Sequence, residues 1–119
     1  MRSYVVEESS NSVRVFWLKA DQLIEDLKKI ARDVGRKDEN VVKIVLFGSL
    51  AEGKAVPGSD ADILILLKES EKPFLSRIAE WMEKFSINFP VEVFPYTLGE
   101  SDNPIIKEAL ESGMILFER

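Results

Sequence analysis

Asp60 and Asp62 stand two residues apart at the head of the apolar run Ile63-Leu64-Ile65-Leu66-Leu67, which reads as a buried strand. A strand's period of two puts both carboxylates on one face, with roughly 6–7 Å between their Cα atoms. Two like charges against an apolar core are costly unless a cation neutralises them, and carboxylate oxygens suit Mg²⁺ or Mn²⁺. Glu92 is the polar residue in the short apolar stretch Val91-Glu92-Val93-Phe94 and can supply a third carboxylate if its strand lies beside that of Asp62. Three carboxylates can hold two divalent ions, and a pair of ions about 3.5–4 Å apart clamps the attacking and leaving oxygens of phosphoryl or nucleotidyl transfer.

Such chemistry needs a cradle for phosphate. Gly48-Ser49 follows the β-branched run Val41-Val42-Lys43-Ile44-Val45-Leu46-Phe47, so a second buried strand ends at a residue that lets backbone approach a ligand closely. The serine hydroxyl and nearby N–H groups can then face phosphate oxygens. Ser59, in the turn Pro57-Gly58-Ser59 just before Asp60, is a further candidate for nucleotide contact, with an ordinary turn role as the alternative.

Composition removes most competing chemistry. The chain has no cysteine and no histidine, which excludes disulfides, thiolate or imidazole catalysis, and metal sites built on nitrogen or sulfur. Any metal must be bound by oxygen. A net charge of −5 makes the whole surface a poor match to a polyanion, so general nucleic-acid binding is not expected. Hydrophobic residues at 45% and charged residues at 31% are those of a folded globular domain rather than a disordered chain. No run approaches the ~20 apolar residues of a membrane span, and Met1-Arg2-Ser3-Tyr4 lacks a signal peptide's apolar stretch; a cytoplasmic protein is expected.

The elements that must position the site follow from periodicity. Apolar positions Leu23, Ile24, Leu27, Ile30, Ala31 and Val34 predict a helix from about Ala20 to Val34, with Gly35 as its stop. Leu50 to Lys54 could add one or two helical turns. Further helices are expected at about Pro73–Phe85 and Pro104–Ser112, and Met114-Ile115-Leu116-Phe117 closes the sequence as a strand or extended tail. Residues 1–18 form an extension. Tyr4-Val5-Val6 and Val13-Arg14-Val15-Phe16 suggest a hairpin, while Val13, Phe16 and Trp17 also continue the helical stripe. The whole reads as one α/β (α+β) domain over 1–119, with a mixed, mainly four-stranded sheet packed against helices and its core at about 20–118.

Gly48-Ser49, ten residues, then Asp60-Ala61-Asp62 resembles the signature of the polymerase-beta-type nucleotidyltransferase superfamily, most closely its minimal nucleotidyltransferase members. The likeness runs from about residue 20 to 118. It takes in Phe47-Gly48-Ser49-Leu50-Ala51, Ser59-Asp60-Ala61-Asp62-Ile63-Leu64 and Val91-Glu92-Val93, and ends in Ile106-Lys107-Glu108-Ala109-Leu110 and Gly113-Met114-Ile115-Leu116-Phe117. It implies the nucleotidyltransferase fold and transfer of a nucleoside monophosphate, AMP from ATP, to an acceptor hydroxyl. Gly48 and Ser49 would then bind the NTP phosphates, and Asp60, Asp62 and Glu92 would hold two Mg²⁺, with Mn²⁺ as a substitute. It also implies an alternative, an antitoxin or regulatory module whose protein partner is a HEPN-type toxin. Many members carry Arg after the alanine that follows Gly-Ser; this chain reads Ala51-Glu52-Gly53, with Lys54 as the nearby positive charge. With no room for a large acceptor domain, the acceptor site is expected to be shallow, supplied by a partner, or shared in a homo-oligomer.

The cations Lys28, Lys29, Arg32, Arg36 and Lys37 complement the dipole at their helix's end and read as a solvated face. Trp17, Trp81 and Phe85 read as core or as an oligomer contact.

Overall fold

The computed structural model describes residues 3–119; Met1 and Arg2, part of the N-terminal stretch that lacks a signal peptide's apolar run, lie outside them. Ten elements follow in order: β1 (Val5–Ser10), β2 (Val13–Leu18), α1 (Ala20–Lys37), β3 (Val41–Phe47), β4 (Ala61–Leu67), α2 (Phe74–Lys84), β5 (Val91–Thr97), a 3₁₀ turn (Leu98–Glu100), α3 (Pro104–Ser112) and β6 (Met114–Glu118). Strands β3 to β6 build one mixed sheet in the order β5-β4-β3-β6, antiparallel except for the parallel pair β4–β5. The chain is a single small α/β domain with a four-stranded sheet and three helices.

The near-continuous apolar sequences of β3 and β4 are explained by cover on both faces. One face presents Ile44, Leu46, Ile63, Ile65 and Val93 to the large core, which α1 joins through Leu23, Leu27 and Ala31 and α2 through Trp81 and Phe85. The other presents Val45, Phe47, Leu64, Leu66 and Tyr96 to Ile106 and Ala109 of α3. This second cover is smaller. Asp62 and Glu92 fall on that same face, because they alternate with Ile63 and Val93 along their strands.

Three local expectations need correction. Gly35 does not stop α1, which runs to Lys37; a side chain at 35 would overlap the Phe117 ring, so the glycine serves close packing of α1 on β6. Residues 50–54 do not form a helix: Glu52 N–H makes one helical-type bond to the Gly48 carbonyl (3.1 Å), but Gly53 N–H turns to that of Leu50 (3.4 Å) and Lys54 N–H to that of Ser49 (2.9 Å), so the i→i−4 ladder stops there. Strand β5 continues through Pro95 to Thr97, which proline permits at the edge of a sheet.

At the N-terminus, β1 and β2 pair antiparallel as a separate two-stranded ribbon. Its loop, Asn11-Ser12, has φ of 48° and 68°, the two positive values a tight primed turn requires. Tyr4 ties the ribbon's base to the domain, because its hydroxyl donates to Asp26 (2.5 Å) and its ring meets Phe89 edge-on at 6.4 Å. Trp81 and Phe85 are core residues, whereas Trp17 is exposed on the ribbon. Among the described residues no helix is long and apolar enough to cross a membrane.

Candidate active site

Across the start of β4, three neighbouring strands bring the candidate residues into one row. Asp62 is in register with Glu92 on β5 and with Phe47, the last residue of β3. Gly48 follows at once, with φ +78°, and a side chain there would overlap a carboxylate oxygen of Asp62. Only glycine satisfies both demands, a left-handed backbone and contact with the neighbouring acid. Asp60 lies one residue before β4, exposed, where the Ala61 N–H donates to the Pro90 carbonyl (2.9 Å) and fixes the entry of β4 beside β5.

These carboxylates feel one another. Burial first, then the charges of Glu92, Asp60 and Glu108, push the Asp62 carboxyl from its usual 3.8 up to about 6. Glu108, on α3, carries no signal in the sequence that ties it to this row. Among the described residues no group of three acidic side chains is yet spaced to close around a metal ion. The donor set is nonetheless the right kind: only oxygen, negatively charged, and mutually repelling until a hard cation intervenes.

Ser49 is half-buried beside this row, and its carbonyl is engaged in the turn that follows. Ser59 holds its own turn together, since its hydroxyl accepts the Val56 N–H at 3.0 Å and its N–H donates to the Val56 carbonyl at 2.8 Å. Beyond the acids an open groove of about 600 Å³ runs along the start of β5, with Asp60 and Glu92 at one end and Met82, Ile87 and Phe89 in its apolar wall.

A larger cavity, about 720 Å³, lies at the opposite end of β4 among Leu67, Glu69, Lys72, Arg77, Glu80 and Trp81. Its central charges already satisfy one another. Lys72 pairs with Glu80 at 2.7 Å, and buried Arg77 donates to the Pro95 carbonyl and to Glu100, each at 2.8 Å. Volume therefore singles out an end whose charges are already paired, whereas like charge is crowded at the other end, around Asp62.

Comparison with known proteins agrees with the fold and with the nucleotidyltransferase class of enzyme. A family model described as a nucleotidyltransferase domain matches residues 27–115. Two Methanocaldococcus jannaschii proteins, each named a putative protein adenylyltransferase, are 33% and 32% identical. The first alignment covers 82% of this chain and 70% of that protein, the second 77% and 95%. Two solved structures share the fold. A putative nucleotidyltransferase from Sulfolobus solfataricus has a TM-score of 0.65 at 23% identity over 84% of each chain. A toxin–antitoxin structure with AMP-PNP has a TM-score of 0.55 at 17% identity, over 77% of this chain and 73% of that one. A domain match across most of the sequence, relatives aligned over most of their own length and a solved nucleotidyltransferase of like fold agree: the chain belongs to the nucleotidyltransferase domain family, as a minimal nucleotidyltransferase enzyme.

Proposed function

We propose that the chain moves AMP from ATP to a hydroxyl group on a protein acceptor, with Asp60, Asp62 and Glu92 holding divalent cations. The observation that carries this reading is the contact of Gly48 with Asp62, and of Asp62 with Glu92, across three adjacent strands. It sets a bend suited to phosphate directly against carboxylates suited to cations. A protein acceptor is supported by the names of the Methanocaldococcus relatives. Mg²⁺, or Mn²⁺ in its place, would neutralise the triphosphate and the leaving pyrophosphate.

The chain's own residues divide the work. Gly48, with no side chain, lets the triphosphate approach the backbone, and the Ser49 hydroxyl donates to a phosphate oxygen. Glu92, exposed at the mouth of the groove, accepts the proton of the acceptor hydroxyl. The acceptor oxygen then bonds to the α-phosphorus, the bond from that phosphorus to the bridging oxygen breaks, and pyrophosphate departs. The groove beside Glu92 receives the acceptor segment, its apolar wall excluding water from the attacking oxygen. The test is incubation with Mg²⁺, candidate acceptor proteins and ATP labelled at either the α or the γ position. Label from the α position alone should appear on protein, and an Asp60→Ala/Asp62→Ala double variant should transfer none. Transfer of γ label, or equal transfer by the variant, contradicts the assignment.

A second reading is an antitoxin module that neutralises a toxin partner by contact, with weak or no transfer. The toxin–antitoxin structure that shares this fold supports it. So does Glu52, which places a carboxylate in the loop after Gly48-Ser49. Under this reading, partner binding survives the double aspartate variant.

A further inference from the structure

The N-terminal ribbon projects from the domain. The molecule measures 56 × 27 × 24 Å with a radius of gyration of 15.5 Å, against about 13–14 Å for a compact chain of this length. The domain match begins only after the ribbon, at residue 27. An isolated two-stranded ribbon is marginal in water, needing a third strand or a packed face to hold it. This one instead exposes four large apolar side chains, all on β2: Val13 (59%), Val15 (51%), Phe16 (51%) and Trp17 (41%).

Its two edges differ in kind. The outer edge of β1 carries Glu7 and Glu8 followed by Ser9 and Ser10, the charged and polar guard that discourages strand addition. The edge of β2 carries one charge, Arg14, which Glu7 already holds at 3.0 Å. Register fixes the faces as well. Val6, Trp17, Val15 and Val13 share one side, whereas Phe16 and Arg14 share the other with Glu7.

We propose that β2 is the contact edge of a homodimer, pairing antiparallel with β2 of a second copy about a two-fold axis at Val15. The ribbons then form one sheet in the order β1-β2-β2-β1. Val13 lies opposite the partner's Trp17 and joins two apolar faces into one, while Arg14 lies opposite the partner's Phe16 in cation–π range. Charge selects both the edge and the axis. Pairing through β1 would oppose glutamates of the two copies, whereas pairing through β2 sends all four to the outside. An axis at Arg14 would oppose two guanidinium groups, and an axis at Val15 separates them.

The test is independent of catalysis. Sedimentation of the full chain at micromolar concentration should give twice the 13.5 kDa chain mass. The chain has no cysteine, so Val15→Cys should cross-link to itself under mild oxidation, because the axis places the two Cβ atoms opposite one another. Glu8→Cys, on the guarded edge, should not. Val15→Lys should sediment at the single-chain mass with the domain's thermal unfolding retained, and Glu8→Lys should stay dimeric. A wild type that sediments as a single chain overturns the proposal, whether or not a different protein binds the ribbon. So does a dimer in which Val15→Cys fails to cross-link or Glu8→Cys cross-links equally well.

Discussion

At the start of β4, Asp62 stands among Glu92, Asp60 and Glu108, and its carboxyl is pushed up to about 6. Past the end of neighbouring β5, Glu100 is held down at about 2, first by the hydrogen bond from Arg77 and then by the N–H and hydroxyl of Thr97. Both are acids at the margins of one sheet, yet one is crowded by its own sign and the other enclosed by donors. Glu100 closes a capping box with Thr97 and completes the coordination of buried Arg77, which also donates to the Lys72 carbonyl at 3.1 Å. That end is finished as folded. The other is left with crowded negative charge, which the proposed divalent cations would balance at some cost in stability without them.

The sharpest way to break this comparison is to neutralise each end in turn. Asp62→Asn should lower AMP transfer at least ~100-fold, since it removes a charged group that acts on the transferring phosphate. Assays of initial rate at saturating ATP and Mg²⁺ check it. Arg77→Met should do the reverse. It should leave transfer close to wild type but cost about 2 kcal/mol of stability in denaturant unfolding, because two carbonyls lose their donor and Glu100 its partner. Comparable activity losses from both variants would erase the distinction.

Smaller effects sharpen the same contrast. In chelator-treated protein at pH 7.5, Asp62→Asn should be more stable than wild type by roughly 1 kcal/mol, after discounting for solvent around the carboxylate. The signs with pH are opposite. A raised carboxyl contributes most below its unfolded value of 3.8 and loses that contribution as pH rises through about 6, so metal-free wild type should weaken over that interval and Asp62→Asn should not. Glu100, depressed from 4.5, stabilises fully above 4.5 and loses this as pH falls toward about 2; Glu100→Gln should flatten that acid limb. Thermal unfolding across pH 2 to pH 8, values set by these two titrations, reads both. Mg²⁺ should raise the melting temperature of wild type at pH 7.5 and leave that of Asp62→Asn nearly unchanged.

The acidic end is far more legible in the sequence than the finished one. Asp60, Asp62, Gly48 and Ser49 stand out because a glycine-serine bend and two carboxylates mark the facing ends of two apolar strands, where apolar residues are the rule. Register then brings Glu92 beside Asp62, a juxtaposition that alternation along β5 could suggest but not specify. The Arg77–Glu100 pair leaves no comparable trace. Its partners are 23 residues apart, and they meet only because β5 runs on through Pro95 into the 3₁₀ turn. Glu108 is an exposed glutamate on an ordinary amphipathic helix, and only the packing of α3 on the smaller sheet face brings its charge near Asp62. Gly35 misleads for a similar reason. Glycine near the end of a helical stripe usually marks a stop, and nothing local reveals that the Phe117 ring fills the space above it.

Diffraction at the manganese edge, from crystals soaked with Mn²⁺ and a non-hydrolysable ATP analogue, tests the central claim most directly. Anomalous peaks should lie between Asp60, Asp62 and Glu92, with the triphosphate against Gly48 and Ser49. Manganese bound elsewhere, or the nucleotide seated in the cavity beside Arg77, would contradict it.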